Sequence, residues 1–452
     1  MSIKSPSFPV RVPLLTRDPG LLRSISLARD NILSIIPAAA LEEPIVTGRT
    51  GKRWHMVMEP KSIRRVLIER LDSYPKSDVT KSLLSPAIGE SLFIAEGSHW
   101  RWQRRAAAPA FAHRAIRDLG PVMSAAAAAC CDRIAQAGPR AVNMADEMVA
   151  TTFDVIADVT FSEDDTLDRA AVHRAIDEYI NAAGKISVLD VLGLPDWLPR
   201  AGRAASISQL DQTKRAADEA IARRHARGPR QVPDLLDHLL AAEDPKSGRA
   251  MTTPELRDNL LTFIVAGHET TAQTLAWALY LMGFDTETQA RARAEAQAAL
   301  GGRTATADDL EALPLVRQII DETLRLYPAG GLLSRTARAD DTLCGTRIRP
   351  GETVMIPVYA LGRHRALWND PDRFDPSRFA ERSRIDRFAY LPFGDGPRVC
   401  IGASFALQEA VIILATLLSR FRFDAVRGRT PEPKMILTLR PEGGVWMTAT
   451  PV

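Results

Sequence analysis

One cysteine lies in a glycine-rich frame that suits metal binding, in the segment Phe393-Gly394-Asp395-Gly396-Pro397-Arg398-Val399-Cys400-Ile401-Gly402. Gly394 and Gly396 permit positive φ angles, so the backbone can approach a flat group closely and its N–H groups can donate to sulfur. The apolar run at 401–418 is typical of a buried helix, whose N-terminal dipole favours a negative thiolate beside it. A free cysteine is more commonly a small buried hydrophobe, but that use requires no glycine-rich frame. We therefore predict that Cys400 presents a thiolate to a metal held in a flat group.

A long helix is predicted to carry a second polar motif, from the start signal Thr252-Thr253-Pro254-Glu255 to about Met282. The cap, the first-turn proline and the first-turn acid favour a helix of on the order of 45 Å, at 1.5 Å per residue. In its middle lies Ala266-Gly267-His268-Glu269-Thr270-Thr271, where a glycine costs ~1 kcal/mol and a carboxylate stands among apolar residues. The Thr270 hydroxyl can donate to the Ala266 carbonyl, which would bend the helix and open a groove.

Two simpler interpretations of this motif have to be compared with a catalytic one. A helix whose polar residues merely face solvent would not carry so many apolar neighbours on all sides, so that interpretation is disfavoured. His268, in contrast, is expected to be a satisfied core or loop-facing histidine rather than a catalytic one.

The cysteine frame and the helix motif resemble those of the cytochrome P450 superfamily, the haem-thiolate monooxygenases, in its soluble bacterial type. The resemblance implies one haem b group, iron protoporphyrin IX, with Cys400 as the metal ligand. It implies that Phe393 shields the sulfur from water and that Gly402 also contacts the cofactor. It further implies that Thr270 is the catalytic alcohol and Glu269 its acidic neighbour in proton delivery, because O–O cleavage needs two protons.

Three arginines and a tryptophan match the family residues that bind the haem propionates. Trp100 and Arg104 are one helical turn apart and share a face, which suits an indole N–H and a guanidinium that bind one carboxylate. Arg335 follows a Tyr-Pro break and matches the residue that binds the second propionate from a strand, and Arg398 lies two residues before Cys400. Each arginine alone would more commonly be a solvated surface charge, so the inference depends on their joint spacing.

A further ionic group is predicted to have a structural role. Glu322 and Arg325 are spaced i, i+3, and most such pairs are surface salt bridges that stabilise little. The family, however, joins this Glu-x-x-Arg to an arginine in a Pro-x-Arg-Phe segment, here Arg378 in Pro376–Phe379. The resemblance therefore implies a buried network that fixes the loop with Cys400.

The chain has 452 residues, of which 46% are hydrophobic and 25% charged, as expected for a globular protein with a large core. Length alone would favour two or three domains, but the polar stretch 227–233 is too short to link domains. We predict a single large cytochrome P450-type domain at 43–452, with an N-terminal extension at 1–42 that packs on or near it.

The secondary-structure signal is mainly helical. Amphipathic segments rich in alanine and leucine dominate 100–300, and β signal is confined to 45–59, 343–356 and 435–447. The predicted fold class is therefore predominantly α with small β-sheets.

Cysteine usage and charge limit the compartment and the partners. The four cysteines are Cys130, Cys131, Cys344 and Cys400, and with one bound to iron they leave no even disulfide framework, so a reducing cytoplasm is expected. Charged residues interrupt 1–41, which leaves no apolar run of the ~20 residues that a membrane span needs. The net charge of +3, from 58 basic and 55 acidic residues, is too balanced to indicate nucleic acid binding.

The resemblance implies a monooxygenase that inserts one oxygen atom from dioxygen (O2) into a hydrophobic small molecule. Since no Gly-x-Gly-x-x-Gly unit is present and the chain ends at Val452, electrons are expected from a separate ferredoxin or flavodoxin and its reductase. A basic patch would steer such an acidic partner, and it comprises Arg101, Arg105, Arg114 and Arg117. A peroxide-driven haem-thiolate oxygenase and a haem-based ligand sensor or carrier are the alternatives, and the intact Glu269-Thr270 pair argues against both.

The pocket for the substrate is expected to be lined by five mostly apolar segments, at 73–97, 180–205, 263–266, 330–333 and 435–439. In the fourth of these, Gly330 and Gly331 carry no side chains where family members often set a bulky residue above the haem. A roomy pocket is therefore expected, for a ligand of terpenoid, fatty-acid or polycyclic size.

Overall fold

The apolar and amphipathic segments fold into helices that surround a few short strands, in a computed structural model that describes residues 8–17, 19–161 and 203–452. In chain order the α-helices of these residues are α1 (Leu21–Asp30), α2 (Pro60–Arg64), α3 (Asp78–Ile88), α4 (Gly97–Ala107), α5 (His113–Asp118), α6 (Gly120–Ala137), α7 (Met144–Phe161), α8 (Arg203–Arg227), α9 (Leu235–Leu240), α10 (Thr253–Phe284), α11 (Thr286–Leu300), α12 (Pro314–Leu326), α13 (Val358–Leu361) and α14 (Ala403–Arg420). Shorter helical turns lie at Ile32–Ile35, Ala38–Leu41, Arg65–Glu69, Leu71–Ser73, Ala108–Phe111, Ala307–Ala312, Pro376–Phe379, Arg382–Arg384 and Gly396–Arg398.

The strands are β1 (Ile45–Thr50), β2 (Lys52–Val57), β3 (Val142–Asn143), β4 (Leu333–Thr336), β5 (Asp341–Leu343), β6 (Thr346–Ile348), β7 (Thr353–Ile356), β8 (Phe421–Ala425), β9 (Glu432–Met435), β10 (Leu439–Glu442) and β11 (Trp446–Pro451). The largest sheet has the order β1-β2-β7-β4, in which β2 and β7 are parallel and the other pairs antiparallel. A three-stranded sheet has the order β3-β11-β8, and two hairpins, β5-β6 and β9-β10, complete the set. The predicted fold class, predominantly α with small sheets, is confirmed.

Helix α10 is the longest described helix, with 32 residues, and it crosses the core. Thr252 and Glu255 form the predicted cap reciprocally, since each side chain bonds the other residue's backbone N–H. Its last turns, from 275 to 284, carry apolar and aromatic residues on all sides. The fully buried Trp277 stacks on Tyr327 at a ring distance of 4.0 Å and an angle of 6°. The predicted helix, from 252 to about 282, is confirmed to within two residues.

Helix α14 begins at Ala403, three residues after Cys400 and two residues later than the apolar run indicated. By length and composition it is the one helix among the described residues that could cross a membrane. In the fold, however, 72% of those residues are buried inside the protein. The apolar character of α14 is thus accounted for by its place in the core, against α6 and α11.

Adjacent cysteines on helix α6 are fully inside the protein. Cys130 and Cys131 are 0% and 2% exposed, and all four cysteines of the chain are free thiols. Burial raises the pKa of Cys130 to about 11 and that of Cys131 to about 12. Both thiols are therefore neutral and inert in the folded protein at neutral pH.

The residues that precede β1 are attached to the core by tyrosine hydroxyls. The Val10 N–H donates to the Tyr280 hydroxyl at 3.0 Å, and the Tyr327 hydroxyl donates to the Val10 carbonyl at 2.6 Å. The Val12 N–H donates to the Tyr359 hydroxyl at 2.9 Å, and the Val12 side chain belongs to the main core. These contacts show how the described N-terminal residues pack, while the domain limits given from the sequence stay a prediction.

A buried ionic network joins α12 to the segment that leads to the cysteine loop. Arg325 and Glu322, with side chains 0% exposed, form a two-pronged pair at 2.6 and 2.7 Å. Arg325 also donates to the carbonyl groups of Gly362 and Pro371, and Arg378 approaches Glu322 at 3.5 Å. The predicted network of three residues is thus confirmed, and it fixes residues of the 362–378 segment.

We expect Glu322→Gln to lower the free energy of unfolding by about 3–5 kcal/mol, because it leaves the buried Arg325 without its counter-charge. Glu381→Gln is the matched control, since the exposed pair of Arg384 and Glu381 has the same i, i+3 spacing, with side chains 78% and 60% exposed. It should cost less than about 0.5 kcal/mol. Chemical denaturation of both variants measures the difference, and equal effects would show that burial of the Glu322 network contributes nothing.

Candidate active site

A cavity of about 330 Å³ lies between α10 and the loop before α14, within the size range of small-molecule sites. Its wall on the α10 side includes Ala266, Gly267 and Thr270, and its opposite wall is the loop around Cys400. All but one of the site residues predicted from the sequence line this single cavity, and they are Trp100, Arg104, Thr270, Arg335, Phe393, Arg398, Cys400 and Gly402. Glu269 does not line it.

The cysteine loop has the glycine geometry that the sequence indicated. Gly394 and Gly396 have φ angles of 67° and 73°, in the left-handed region that favours glycine. At Gly396 a Cβ atom would also lie 2.5 Å from the carbonyl oxygen of Leu67. Both the φ angle and this close contact therefore exclude a side chain at that position. The Cys400 N–H donates to the Phe393 carbonyl at 2.9 Å and closes the loop.

The Cys400 side chain is accessible, but to the cavity rather than to bulk solvent. Burial in the cavity wall raises the pKa of its thiol. The Gly402 N–H, which bonds to the sulfur, and the cations Arg104 and Lys76 act in the opposite direction and favour the thiolate. The loop therefore supplies the donors that a sulfur ligand to a metal requires.

Threonine hydroxyls donate to carbonyls one turn earlier along the cavity face of α10. Thr270 Oγ1 donates to the Ala266 carbonyl at 2.7 Å, as predicted, and Thr274 Oγ1 donates to the Thr270 carbonyl at 2.8 Å. Such bonds compete with the helical hydrogen bonds. Helix α10 nevertheless continues through these turns without a break. The predicted back-bond of Thr270 is confirmed, and it holds the hydroxyl at the cavity wall.

Helix α7 packs against the same turns of α10 and accounts for the glycine there. A Cβ atom on Gly267 would lie 3.1 Å from Cδ1 of Ile156, so a larger residue would require the Ile156 side chain to shift. Thr152 Oγ1 donates to the His268 carbonyl at 2.9 Å. His268 is 1% exposed, and its Nδ1 lies 2.7 Å from the Ile264 carbonyl, so it is a core histidine, one of the two placements expected from the sequence.

Glu269 points away from the cavity toward the β9-β10 hairpin. Its carboxylate, 6% exposed, accepts bonds from Thr438 Oγ1 at 2.6 Å and from Arg440 Nη2 at 2.7 Å. The structure thus brings Thr270 to the cavity and directs the side chain of its acidic neighbour elsewhere. Neither partner could be identified from local sequence, because the two lie 169 and 171 residues away along the chain.

Four cations surround one edge of the cavity, and they are Lys76, Arg104, Arg335 and Arg398. The Arg398 guanidinium lies 4.3 Å from the ring centroid of Trp100, donates to the Ala95 carbonyl at 2.8 Å and pairs with Glu96. Burial, together with the charge of nearby Arg398, lowers the pKa of Arg335 to about 10. Burial, with Arg335 and Arg398, also lowers the pKa of Lys76 well below its usual value.

This edge carries more buried positive charge than the carboxylate of Glu96 offsets. Nε of Arg335 and Nη1 of Arg398 are buried and have no hydrogen-bond partner among the described residues. Buried cations of this kind require anionic partners, which the two carboxylates of a haem would supply. The donor set of the cavity, a sulfur below and cations at one edge, therefore fits haem.

Lys76 is a residue of this site that sequence reasoning missed. It lies in a segment predicted to line the pocket, but a single lysine in a loop has no spacing that separates it from a surface charge. Its ammonium group sits 3.5 Å from the ring centroid of Phe93, and its backbone is bridged to Arg335. Only the folded structure reveals that its charge faces the cavity.

The predicted lining segments have different outcomes. Residues from 73–97, 263–266 and 330–333 line the cavity, whereas no residue of 435–439 does so. Segment 180–205 lies outside the residues whose side chains are described.

The predicted basic patch is largely paired with acids. Salt bridges join Arg101 to Asp72 at 2.7 Å, Arg105 to Asp244 at 2.6 Å, and Arg117 to Asp308 at 2.5 Å. A count of arginines from the sequence therefore overstates the positive field of this surface, because each of these acids is distant in sequence from the arginine it neutralises.

The comparisons with known proteins agree with the geometry of the site. A family model described as cytochrome P450 matches residues 25–448. Two Streptomyces melanosporofaciens proteins are similar: cyclooctat-9-en-7-ol 5-monooxygenase is 33% identical over 434 residues, with 93% of this chain and 90% of the relative covered, and cyclooctatin synthase is 32% identical over 403 residues, with 88% and 87% covered. The crystal structure of the cytochrome P450DA heme domain superposes with a TM-score of 0.83 at 26% identity and 98% coverage of both chains.

Family model, relatives and solved structure thus agree on the fold and on the family. The chain belongs to the cytochrome P450 family, and the protein is a cytochrome P450 monooxygenase, an oxidoreductase of the haem-dependent kind.

Proposed function

We propose that the protein inserts one oxygen atom from dioxygen into a hydrophobic small molecule, with electrons from a separate redox protein. The observation that carries this proposal is the position of Cys400 and Thr270 on opposite walls of one cavity with a cationic edge. The cofactor is proposed to be haem b, held by Cys400 at the iron and by Arg104, Arg335 and Arg398 at the propionates. When bound, haem supplies the activation of dioxygen, which thiolate donation promotes.

Other cavity residues have proposed roles that follow from their contacts. Trp100 and Lys76 complete the propionate edge, the first through its indole N–H and the second through its ammonium group. Phe393 and Gly402 contact the cofactor on the cysteine side, where Phe393 shields the sulfur from water. Thr270, whose hydroxyl is held at the wall by Ala266, passes protons to the reacting oxygen atom.

The proposed substrate is apolar. Leu92, Phe93, Phe263 and Leu333 line the cavity and offer it no polar side-chain atoms. The similar Streptomyces monooxygenase acts on cyclooctat-9-en-7-ol by its name, which supports a hydrophobic alcohol or a related ring compound as a first class to screen. A shift of the haem spin state on addition of each compound would identify ligands.

The proposed electron donor is a ferredoxin or flavodoxin with its reductase, in the cytoplasm. Free thiols at Cys130, Cys131 and Cys344 support a reducing compartment. The reconstituted enzyme should oxidise NAD(P)H in step with dioxygen and product. Turnover with hydrogen peroxide alone, and none with the donor system, would instead support a peroxide-driven oxygenase.

Cys400→Ser should lose most of the activity and the thiolate signature of the reduced carbonyl complex, because oxygen donates less electron density than sulfur. Absorption spectra of the reduced protein under carbon monoxide measure this. Cys344→Ser is the control, since Cys344 lies away from the cavity and bonds to Ser62 and Glu59. An unchanged spectrum in Cys400→Ser would assign the metal ligand to another residue.

Thr270→Ala should retain haem and NAD(P)H oxidation but divert electrons to hydrogen peroxide, because a proton-delivering hydroxyl is lost. The ratio of product to NAD(P)H should fall by about tenfold or more. Thr160→Ala, which removes a similar back-bond to the Ile156 carbonyl on α7, should leave the ratio unchanged. A normal ratio in Thr270→Ala would transfer the role to Thr271, the neighbouring hydroxyl at the cavity wall.

The two glycines after the Tyr-Pro break differ in what surrounds them. Gly330 lines the cavity and has open space where a Cβ would lie, whereas a Cβ on Gly331 would lie 2.9 Å from Sδ of Met435 and 3.2 Å from Leu33. The sequence could not separate them, and it led us to expect that either would widen the pocket. The absence of a side chain at Gly330, rather than at Gly331, therefore enlarges the cavity.

Gly330→Phe should narrow the range of compounds that shift the spin state, because the ring would enter the cavity. Gly331→Phe should instead destabilise the fold by about 1–3 kcal/mol through overpacking. Binding of one panel of hydrophobic compounds, together with thermal unfolding, separates the two effects. An unaltered panel for Gly330→Phe would mean that this segment does not shape the pocket.

A further inference from the structure

A second cavity, of about 640 Å³, lies between α1 and one face of the sheet β1-β2-β7-β4, and its volume is within the range of small-molecule sites. We name it the α1 cavity, after Ser24, Ile25 and Ala28 of that helix, which line it. The cavity above Cys400 is called the haem cavity. Of the described residues, none lines both cavities, so the α1 cavity is a separate compartment with a lining of its own.

The floor of the α1 cavity consists of alternate residues of the sheet. Because successive side chains of a strand point to opposite faces, residues paired across strands form rows on one face. One such row lines the cavity, and it consists of Val46, Met56, Met355 and Ser334. The next row on this face includes Gly48 and Trp54, which also line the cavity. The register of the sheet thus builds one floor from four strands.

This floor is more apolar than a sheet face beside an open space usually is, since such a face commonly carries polar residues. Val46, Met56 and Met355 supply apolar side chains, and methionine adapts its shape to what it contacts. The Trp54 indole adds a flat surface. A Cβ atom on Gly48 would overlap that ring, so the missing side chain at Gly48 leaves room for it. The floor therefore favours an apolar ligand body.

The same sheet separates the α1 cavity from the haem cavity. In β4, Ser334 lines the α1 cavity, whereas Leu333 and Arg335 on either side of it line the haem cavity. The Ser77 N–H donates to the Ser334 carbonyl at 3.4 Å, and Ser77 too lines the α1 cavity, while the adjacent Lys76 lines the haem cavity. A hydrogen-bonded wall of backbone therefore stands between a ligand in the α1 cavity and the haem site.

Cations outnumber acids at the rim of the α1 cavity. Arg17, Arg49 and Lys52 line it with exposed side chains, and none of them forms an ion pair with another described residue. Asp78 is the one acid among the described lining residues. Three cations against one acid leave two positive charges in excess, which attract an anion. Exposed cations are common on protein surfaces, so the inference depends on their position around an apolar floor.

We propose that the α1 cavity is a second ligand site, which binds an amphipathic anion, a small molecule with an apolar body and one carboxylate or sulfate group. The apolar body lies on Val46, Met56 and Met355, and the anionic group faces the cations of the rim. The bound molecule stays on its own side of the sheet and does not reach the haem. The site is therefore independent of the oxidation proposed above.

Dodecanoate is the probe for this site, below the concentration at which it forms micelles. It is titrated by calorimetry into haem-loaded protein that is first saturated with phenylimidazole, which binds the iron and occupies the haem cavity. One dodecanoate should bind per protein. Its affinity should fall by about fourfold for each CH₂ removed from the chain, the factor that corresponds to about 0.8 kcal/mol. Dodecanol and dodecylammonium should bind more weakly than dodecanoate, because they lack the negative charge.

Lys52→Glu should weaken dodecanoate binding roughly tenfold, because it reverses one charge beside the anionic group. Arg53→Glu is the matched control, since it makes the same change of charge at the next position of β2, where the exposed side chain does not line the α1 cavity. Its affinity should differ from that of wild type by about twofold or less at physiological salt. The haem spectrum and thermal unfolding of both variants verify that the fold is retained.

Four results would overturn the proposal. Loss of dodecanoate binding once phenylimidazole fills the haem cavity would place the anion above Cys400 instead. Equal affinities of wild type and Lys52→Glu, or of dodecanoate and dodecanol, would show that the rim does not recognise the anionic group. Association with vesicles of anionic lipid, without binding of monomeric dodecanoate, would assign this face to a membrane surface. Product formation tests the proposed oxidation separately, so failure of the one leaves the other standing.

Discussion

A thiol that has to act as an anion inside a cavity is the constraint on which the rest of this structure depends. Burial raises the pKa of Cys400, so the loop and its neighbours have to favour the charged form. The Gly402 N–H, Arg104 and Lys76 do so, and two glycines at positive φ give the loop the shape that allows it. Arg104 and Lys76 are themselves buried in the cavity wall together with Arg335 and Arg398. The excess positive charge of these four side chains has to be balanced by anions. Haem, with one metal centre and two carboxylates, meets both requirements, which explains why sulfur and cations lie around a single cavity.

The large apolar helices and the buried ionic network keep the sulfur, the cations and the Thr270 hydroxyl in fixed positions around the cavity. Helix α10 presents Thr270 to the cavity, α7 packs closely against it at Gly267, and α14 completes the core behind the cysteine loop. The Glu322 and Arg325 side chains do not line the cavity, yet Arg325 bonds to the chain segment that precedes the loop. Precision at Cys400 thus depends on contacts made by residues with no part in the reaction.

Much of this arrangement could be predicted from local sequence. The cysteine frame, the capped helix and the Thr270 back-bond are short-range features, in which spacing of a few residues already determines the geometry. Side-chain direction across the fold could not be predicted in the same way. Glu269 follows the motif in sequence but turns to Thr438 and Arg440, and Lys76 reads as an ordinary loop charge until the cavity is seen. Gly330 and Gly331 are adjacent and identical, and only their tertiary neighbours distinguish them.

The two buried cysteines of α6 can serve as probes of local unfolding. Cys130 and Cys131 are shut off from solvent, with pKa values raised to about 11 and 12, so an alkylating reagent cannot reach a reactive thiolate while the helix stays packed. Alkylation at these two positions can proceed only during excursions that detach α6 from α7 and α14. The rate at which alkylation increases the protein's mass would therefore measure how frequently the core behind the cysteine loop opens. It would do so under native conditions, where spectra averaged over all molecules show only the folded state.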